Sequence, residues 1–479
     1  LSLKAQAISG VKWTTLSTVV TTILQLLQLA ILARFLDPSA FGLMALVMVV
    51  IGFSQAFLDM GISNAIIHKQ EISRDQLSTL YWVNVLAGFI LFCIISISAP
   101  FVASLYEQPE LTELIAIVAL TFIIQPFGQQ FMVLWQKEMR FSEIAKIDIV
   151  NKSISLIVSV YFAYKGYGVY ALVYGTLAGI VSQTVQFMYK GLKEYRPSFV
   201  FKLGEIKEFL SFGAYQMGEK MINFFNKEVD TLLIGKLLGV ETLGIYIIAK
   251  QLIMRPAQII NPIITKVTFP TMAKVQDDTE RLKNIYLKTM NYLSSVNFPI
   301  YAFLFIMAPD LVPLIFGEKW NESIIVVQIL SIFGAIRSTG NPIGSLLLAK
   351  GKANWGFWWN LGLFFYVPFG IYLGSFWNLE GISYSLIILQ ISLIIPNWYF
   401  LVKPLCKAKF IEYHRQIIIP ILISVFTSFI LLNLSYFFNN LFYKIIVISG
   451  LGMVLIFLLN YKFNKDFLIN ISNMIKNKG

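Results

Sequence analysis

The chain has 479 residues, of which 57% are hydrophobic and only 13% charged, with a mean hydropathy of +0.70 and a formal net charge of +12. That composition excludes a soluble globular domain and specifies a polytopic membrane protein. The two cysteines, Cys93 and Cys406, and two histidines, His68 and His414, are too few and too scattered for a disulfide framework or a thiolate or imidazole metal centre.

Hydropathy and helix breakers predict fourteen spans, beginning near Val11, Phe41, Thr79, Leu111, Ile144, Gly168, Phe209, Leu243, Leu287, Glu322, Asn354, Glu380, Gln416 and Leu441. The first is too long and too Thr-rich for a signal-peptide core and is read as a span. Of the 38 Lys and Arg residues, 27 fall at alternate span ends and at the termini. The opposite side receives Arg34, Lys165, Lys236, Lys319 and Lys444. The positive-inside rule therefore puts both termini in the cytoplasm, and the net charge reports orientation and contact with anionic lipid and not a nucleic-acid partner.

The seventh span, 209–238, is apolar overall yet carries charge at its middle. At about 100° per residue, Gln216, Glu219, Lys220, Asn223, Asn226, Lys227 and Asp230 fall within an arc of roughly 120°, opposite Met217, Met221, Phe224 and Phe225. An ionised group at the bilayer centre costs about 2.5–3.5 kcal/mol, so such a stripe faces either a water-filled cavity or internal ion-pair partners. The segment 31–45, ILARFLDPSAFGLMA, aligns without gaps on 233–247, LIGKLLGVETLGIYI, pairing Gly42 with Gly244. The same register sets Thr14, Thr18, Thr21, Gln25 and Gln28 opposite Gln216, Lys220, Asn223, Lys227 and Asp230, an uncharged twin of the charged stripe. Six spans separate the two copies, so the repeat is parallel, with an axis along the membrane normal.

The expected fold is therefore an all-α polytopic membrane protein of about fourteen transmembrane helices. Two six-helix lobes related by a pseudo-two-fold surround a central cavity, and two C-terminal helices follow. The lobes are expected at 1–190 and 209–403, with a cytoplasmic connection at 191–208 and the last two helices and tail at 404–479.

Within the spans the cations are Lys152, Lys220, Lys227, Lys250, Arg255 and Arg337, and the acids are Asp59, Asp148, Glu219, Glu228 and Asp230. Asp148 with Lys152, and Lys227 with Asp230, stand at helical spacing. Around Lys250, Arg255 and Arg337 the sequence sets no acid at that spacing, which makes these three, with Lys220 and Lys227, the candidates for an anionic substrate. Pro256, Pro262 and Pro342 interrupt the helices that carry them. An arginine capping carbonyls freed at such a break is the structural alternative for Arg337. Asn261 joins the candidate polar lining, and Asp59, Glu219 and Asp230 are candidates for a coupling Na⁺ or H⁺, although internal ion pairing would use them equally well. There is no GxxxxGK[ST] phosphate loop, no HExxH and no GxSxG, and no extramembrane segment is long enough to fold alone. An enzyme is thereby excluded, no metal or organic cofactor is expected, and uphill movement would need an ion or substrate gradient.

Several strings, QLSTLYW at 76–82, GQQF at 128–131, NPIITKVTFP at 261–270, QDDTE at 276–280, VPLIFGEKWN at 312–321 and RSTGNPIGSLL at 337–347, resemble in content and order the polysaccharide transporter (Wzx-type) flippases of the MOP superfamily. Their colanic acid exporter branch is the most similar. The resemblance extends to about Lys403. It implies an undecaprenyl diphosphate-linked oligosaccharide as cargo, flipped by alternating access across the bacterial cytoplasmic membrane for export of a surface polysaccharide, with membrane lipids and polysaccharide polymerase machinery as partners. It also implies that the first, second, seventh and eighth spans line the cavity. A MATE-like drug or cation antiporter is the alternative, and it would need an acid-dominated cavity.

Overall fold

The computed structural model describes residues 3–59, 63, 66, 67, 69, 72–202, 204, 207–340, 342–438, 440–465 and 467. Among them there is helix and no strand. Hydrocarbon offers no water to backbone N–H and C=O groups, so a chain this apolar must satisfy them within each segment.

Eleven helices are long and apolar enough to cross a bilayer, and the pair Glu110–Ile124 and Pro126–Lys137, bent by 50°, supplies a twelfth. The run Lys220–Lys274, at 55 residues, is long enough for two spans. Gly239 divides it, with φ 85° and ψ 170°, a backbone conformation that a residue bearing Cβ rarely adopts. Ala353–Ser375 is a further helix of 23 residues whose tryptophans and glycines lower its hydropathy. With that run divided in two and Ala353–Ser375 added, the described residues hold up to fourteen candidate spans, in the expected order. The segment 266–283 is mostly helix, because the eighth span runs to Lys274 and the ninth starts at Thr279, capped by the Asp278 carboxylate accepting from Arg281 N at 3.1 Å.

The helices group into two compact units, Leu1–Gly244 and Ile245–Gly479. The seventh span belongs to the first of these, whereas the sequence repeat assigns it to the second lobe. Within the first unit, Phe141–Tyr164 packs against both Tyr170–Glu194 and Leu3–Phe35, and Arg74–Tyr106 packs against Glu110–Ile124. Small residues let these helices approach: Gly175 lies on Ser159, Gly179 on Ser155 and Gly128 on Thr184. The repeat-related glycines form a crossing of backbone against backbone. A Cβ on Gly42 would fall on the Val240 carbonyl, and one on Gly244 would fall on the Pro38 carbonyl.

In the second unit the ninth span, Thr279–Phe316, is packed by Ser323–Ser338 and Phe410–Ser435. The last span, Leu441–Phe463, is tied to the ninth at both ends. Lys444 Nζ meets Asp310 Oδ2 at 2.6 Å near one end. Near the other, Asn291 donates to Asn464 Oδ1 at 3.2 Å and Asn464 donates to Ser295 Oγ at 2.9 Å. Trp355 and Trp359 pack against the buried Tyr286 and Met290 cluster, whereas Trp358 is exposed, as an interfacial belt requires.

The glycine crossing is testable. Inserting side-chain volume against a carbonyl forces the backbone to move, at about 1–3 kcal/mol or more. Gly42→Val and Gly244→Val should each abolish the monodisperse peak in fluorescence-detected size exclusion. Gly450→Ala, which has open space within 4 Å, should leave it unchanged. Wild-type elution of both valine variants would contradict the packing.

Candidate functional site

In the first unit the seventh span presents two unlike faces. Phe224 fills the place where a Cβ on Gly52 of the second span would stand, and its ring centroid lies 6.4 Å from that of Phe53. Val229 and Ile234 are buried, and Tyr106 of the third span donates to the Leu232 carbonyl at 3.3 Å. The apolar face is thus committed to packing. On the polar face Lys220, Asn223 and Lys227 are exposed and Asn226 is half-buried.

Their depth is counted along the helix from Lys236, whose Nζ pairs with Glu107 Oε1 at 3.1 Å. At about 1.5 Å per residue, Lys227 lies about 13 Å and Lys220 about 24 Å along the helix from Lys236. Both depths fall within a hydrocarbon slab of about 30 Å. Lys227 Nζ stands 3.8 Å from Glu228, which is 19% exposed. Asp230 is buried at 9% and accepts from the Thr231 N–H at 2.7 Å. Lys220, Lys227 and Asp230 also engage further neighbours. The side chains of Asp59, Gln216 and Glu219 lie outside the described residues.

The first-span stripe is only partly open. Thr14 and Thr18 are exposed, and Thr21 and Gln25 are half-buried. The hydroxyl protons of Thr18 and Thr21 go to their own helix, to Thr14 O at 2.8 Å and Ser17 O at 2.7 Å, which leaves oxygen lone pairs as acceptors. Gln28 departs from the expected lining role, because its amide donates to Ser159 Oγ of the fifth span at 2.9 Å and ties the two helices together.

The second unit holds the remaining candidates. Arg337, about 21 Å along the tenth span from Ser323, is exposed, and its guanidinium carbon stands 5.5 Å from the Phe333 ring centroid. Beside it Tyr301 is buried and donates to the Ile253 carbonyl at 3.0 Å, and Gly334 packs on that ring. Lys250 and Arg255 are half-buried and each engages neighbouring groups.

Asn261 corrects the expectation made for it. It is 2% exposed, so it does not line an open space in this structure. Its Nδ2 donates to Ser338 O at 3.2 Å, and its Oδ1 accepts from Asn297 at 2.9 Å. The reason is Pro342: lacking an N–H, it cannot donate to the carbonyl four residues earlier, which is Ser338. The side-chain amide of Asn261 replaces that backbone donor. The freed carbonyl is therefore served by asparagine and not by Arg337, whose guanidinium stays exposed. Sequence reasoning missed Tyr301 and Asn297 because neither breaks a hydropathy pattern; only the proline four residues after Ser338 signals that some donor is needed.

This all-helical architecture is that of a multi-pass membrane protein. It superposes on the structure titled "Lipid II flippase MurJ, inward closed conformation" with a TM-score of 0.75 over 96% of this chain and 100% of that one, at 12% identity. The profile of the family described as "Polysaccharide biosynthesis protein" matches residues 31–325, more than half of the chain. The chain belongs to that family, which agrees with the resemblance carried by the motif strings. It is 34% identical to the lipopolysaccharide biosynthesis protein WzxC of Escherichia coli K12, covering 89% of this chain and 87% of the relative. It is equally 34% identical to the teichuronic acid biosynthesis protein TuaB of Bacillus subtilis 168, covering 91% and 90%.

Asn261→Leu leaves the Ser338 carbonyl and Asn297 without their partner and should cost about 1–2 kcal/mol. Pro342→Ala restores the missing N–H, so the double variant should melt closer to wild type than additivity allows. Additive losses in detergent-solubilised protein would contradict the replacement.

Proposed function

We propose that this chain is a flippase that carries an undecaprenyl diphosphate-linked oligosaccharide from the inner to the outer leaflet of the bacterial cytoplasmic membrane, with both termini cytoplasmic. The observation that carries the reading is the exposed set of cations and amides, Lys220, Asn223, Lys227 and Arg337, at depths where lipid-facing helices are apolar. Membership in a polysaccharide biosynthesis family and a fold shared with a lipid II flippase support it. The named polymers of the two relatives differ, so the common cargo feature is sought in the carrier and not in the sugars.

The chemistry is consistent from end to end. A diphosphate leaving water needs permanent cations, and the planar fork of a guanidinium matches two phosphate oxygens at once. In the second unit Arg337, Arg255 and Lys250, and in the first unit Lys220 and Lys227, are each candidates to take the diphosphate, and in the first unit the Thr14 and Thr18 oxygens with Asn223 and Asn226 are candidates to hydrogen-bond the sugars. The polyprenyl tail, wholly apolar, gains nothing from entering such a site and stays in lipid. Alternating access then requires the site to open first inward and then outward. A Na⁺ or H⁺ coupled through Asp59, Glu219 or Asp230 would supply the drive, and a polysaccharide polymerase would receive the flipped unit.

The test is proteoliposome flipping of an undecaprenyl diphosphate-linked oligosaccharide bearing a fluorescent sugar, read by its accessibility to a membrane-impermeant reagent. Charge-assisted hydrogen bonds contribute about 1.5–3 kcal/mol, so Arg337→Ala should slow flipping about 10- to 100-fold at unchanged protein level. Arg255→Ala should also reduce flipping more than expression. Wild-type rates in both variants would refute the assignment, and no flipping by the wild-type protein would refute the function.

A further inference from the structure

The chain leaves the sixth span after Glu194 and runs extended along the inner end of the third. A series of hydrogen bonds fixes it there. The Tyr195 and Ser78 hydroxyls are 2.7 Å apart, Ser198 N donates to Ser78 Oγ at 3.1 Å, and Trp82 Nε1 donates to Ser198 O at 3.0 Å. Thr79 Oγ1 donates to Val200 O at 3.1 Å and Lys202 N donates back to Thr79 Oγ1 at 3.2 Å. Lys202 Nζ adds an ion pair with Asp75 at 2.6 Å. Ser78, Thr79 and Trp82 all belong to the QLSTLYW string, whose role in the structure is thus to seat this strap.

What the strap displays is unusual for a loop in water. Phe199 stacks on Trp82 at 4.6 Å and 19° yet is 85% exposed, and Phe201 is 57% exposed. Lys193 and Arg196 are exposed beside them, Lys193 Nζ standing 4.0 Å from the Tyr189 ring. The neighbouring acid, Glu194, is occupied by Arg140 at 2.7 Å and Trp135 Nε1 at 3.0 Å. The surface is therefore aromatic and cationic, and it is fixed at the ends of two spans on the side where positive charge collects. Aromatic rings at headgroup depth next to basic residues are what an anionic leaflet attracts.

We propose that residues 193–202 form a binding site for anionic phospholipids of the inner leaflet. Phe199 and Phe201 enter the headgroup region, Lys193 and Arg196 take the lipid phosphates, and Lys202, held by Asp75, fixes the strap. The acidic lipid clamps the inner end of the first unit by a contact separate from the mid-membrane cations.

The test uses the purified full chain in nanodiscs of phosphatidylcholine with and without phosphatidylglycerol, comparing wild type, K193Q/R196Q, K193R/R196K and F199S/F201S by thermal unfolding. Phosphatidylglycerol should raise the wild-type melting temperature and should be retained on the protein in native mass spectrometry. Each cation removed should weaken that retention about fivefold, while K193R/R196K should keep it. Melting in phosphatidylcholine alone reports any folding defect separately, and the wild-type retention measurement stands even where a variant fails to fold. Full retention and a full shift in K193Q/R196Q, no preference of the wild type for phosphatidylglycerol over phosphatidylcholine, or the same shift with inorganic phosphate alone, would each overturn the proposal.

Discussion

An ion or a bare carbonyl in hydrocarbon costs a few kcal/mol, comparable to a good part of a domain's whole stability, and nearly every feature of this chain answers to that cost. Helices satisfy their own backbones, so most of the chain can be apolar and indifferent to its surroundings. The exceptions are informative because each must be compensated. Pro342 strips the Ser338 carbonyl of its donor, and Asn261 supplies another. Lys444 enters the membrane edge against Asp310, and Lys236 against Glu107. Lys220, Lys227 and Arg337 are exposed, and of these Lys227 stands 3.8 Å from Glu228 while Lys220 and Lys227 engage further neighbours.

Rigidity and mobility are divided along the same line. Where two helices cross on glycine and serine, as at Gly42 with Val240 or Gly175 with Ser159, backbone meets backbone and little play is left. At Pro342 the ladder is broken and the connection passes through side-chain amides of Asn261 and Asn297. Such a joint can bend at the cost of one or two hydrogen bonds and not of a whole helix. Arg337 lies within one turn or so of that joint, so a bend there would move its exposed guanidinium.

The fold was legible to a large extent because a bilayer leaves few options. Span number, order and approximate starts follow from hydropathy, and the faces of the seventh span follow from periodicity: Phe224 packs inward and Asn223 and Lys227 turn outward, as the helical wheel requires. The repeat pairing of Gly42 with Gly244 gained a physical meaning that alignment could not supply, since each glycine accommodates the other segment's backbone. Partners across helices were not legible. Gln28 looked like lining and is bonded to Ser159, 131 residues later, and Asn261 looked like lining and is a buried tie, because periodicity gives a face but not what stands against it. The strings that carried the family resemblance turned out in part to be structural devices: QLSTLYW seats the strap at 195–202, and the asparagine that opens NPIITKVTFP mends the break in RSTGNPIGSLL.

The claim on which the function rests is that water reaches the polar face of the seventh span inside the membrane. It is tested most directly by placing single cysteines at 220, 221, 223, 224, 225 and 227 in a background with Cys93 and Cys406 replaced, and labelling intact proteoliposomes with a water-soluble maleimide. Labelling at 220, 223 and 227 but not at 221, 224 and 225, with protection by an undecaprenyl diphosphate-linked sugar, is the expected pattern. Uniform resistance along the helix, or labelling that ignores its faces, would contradict a hydrated cationic site there.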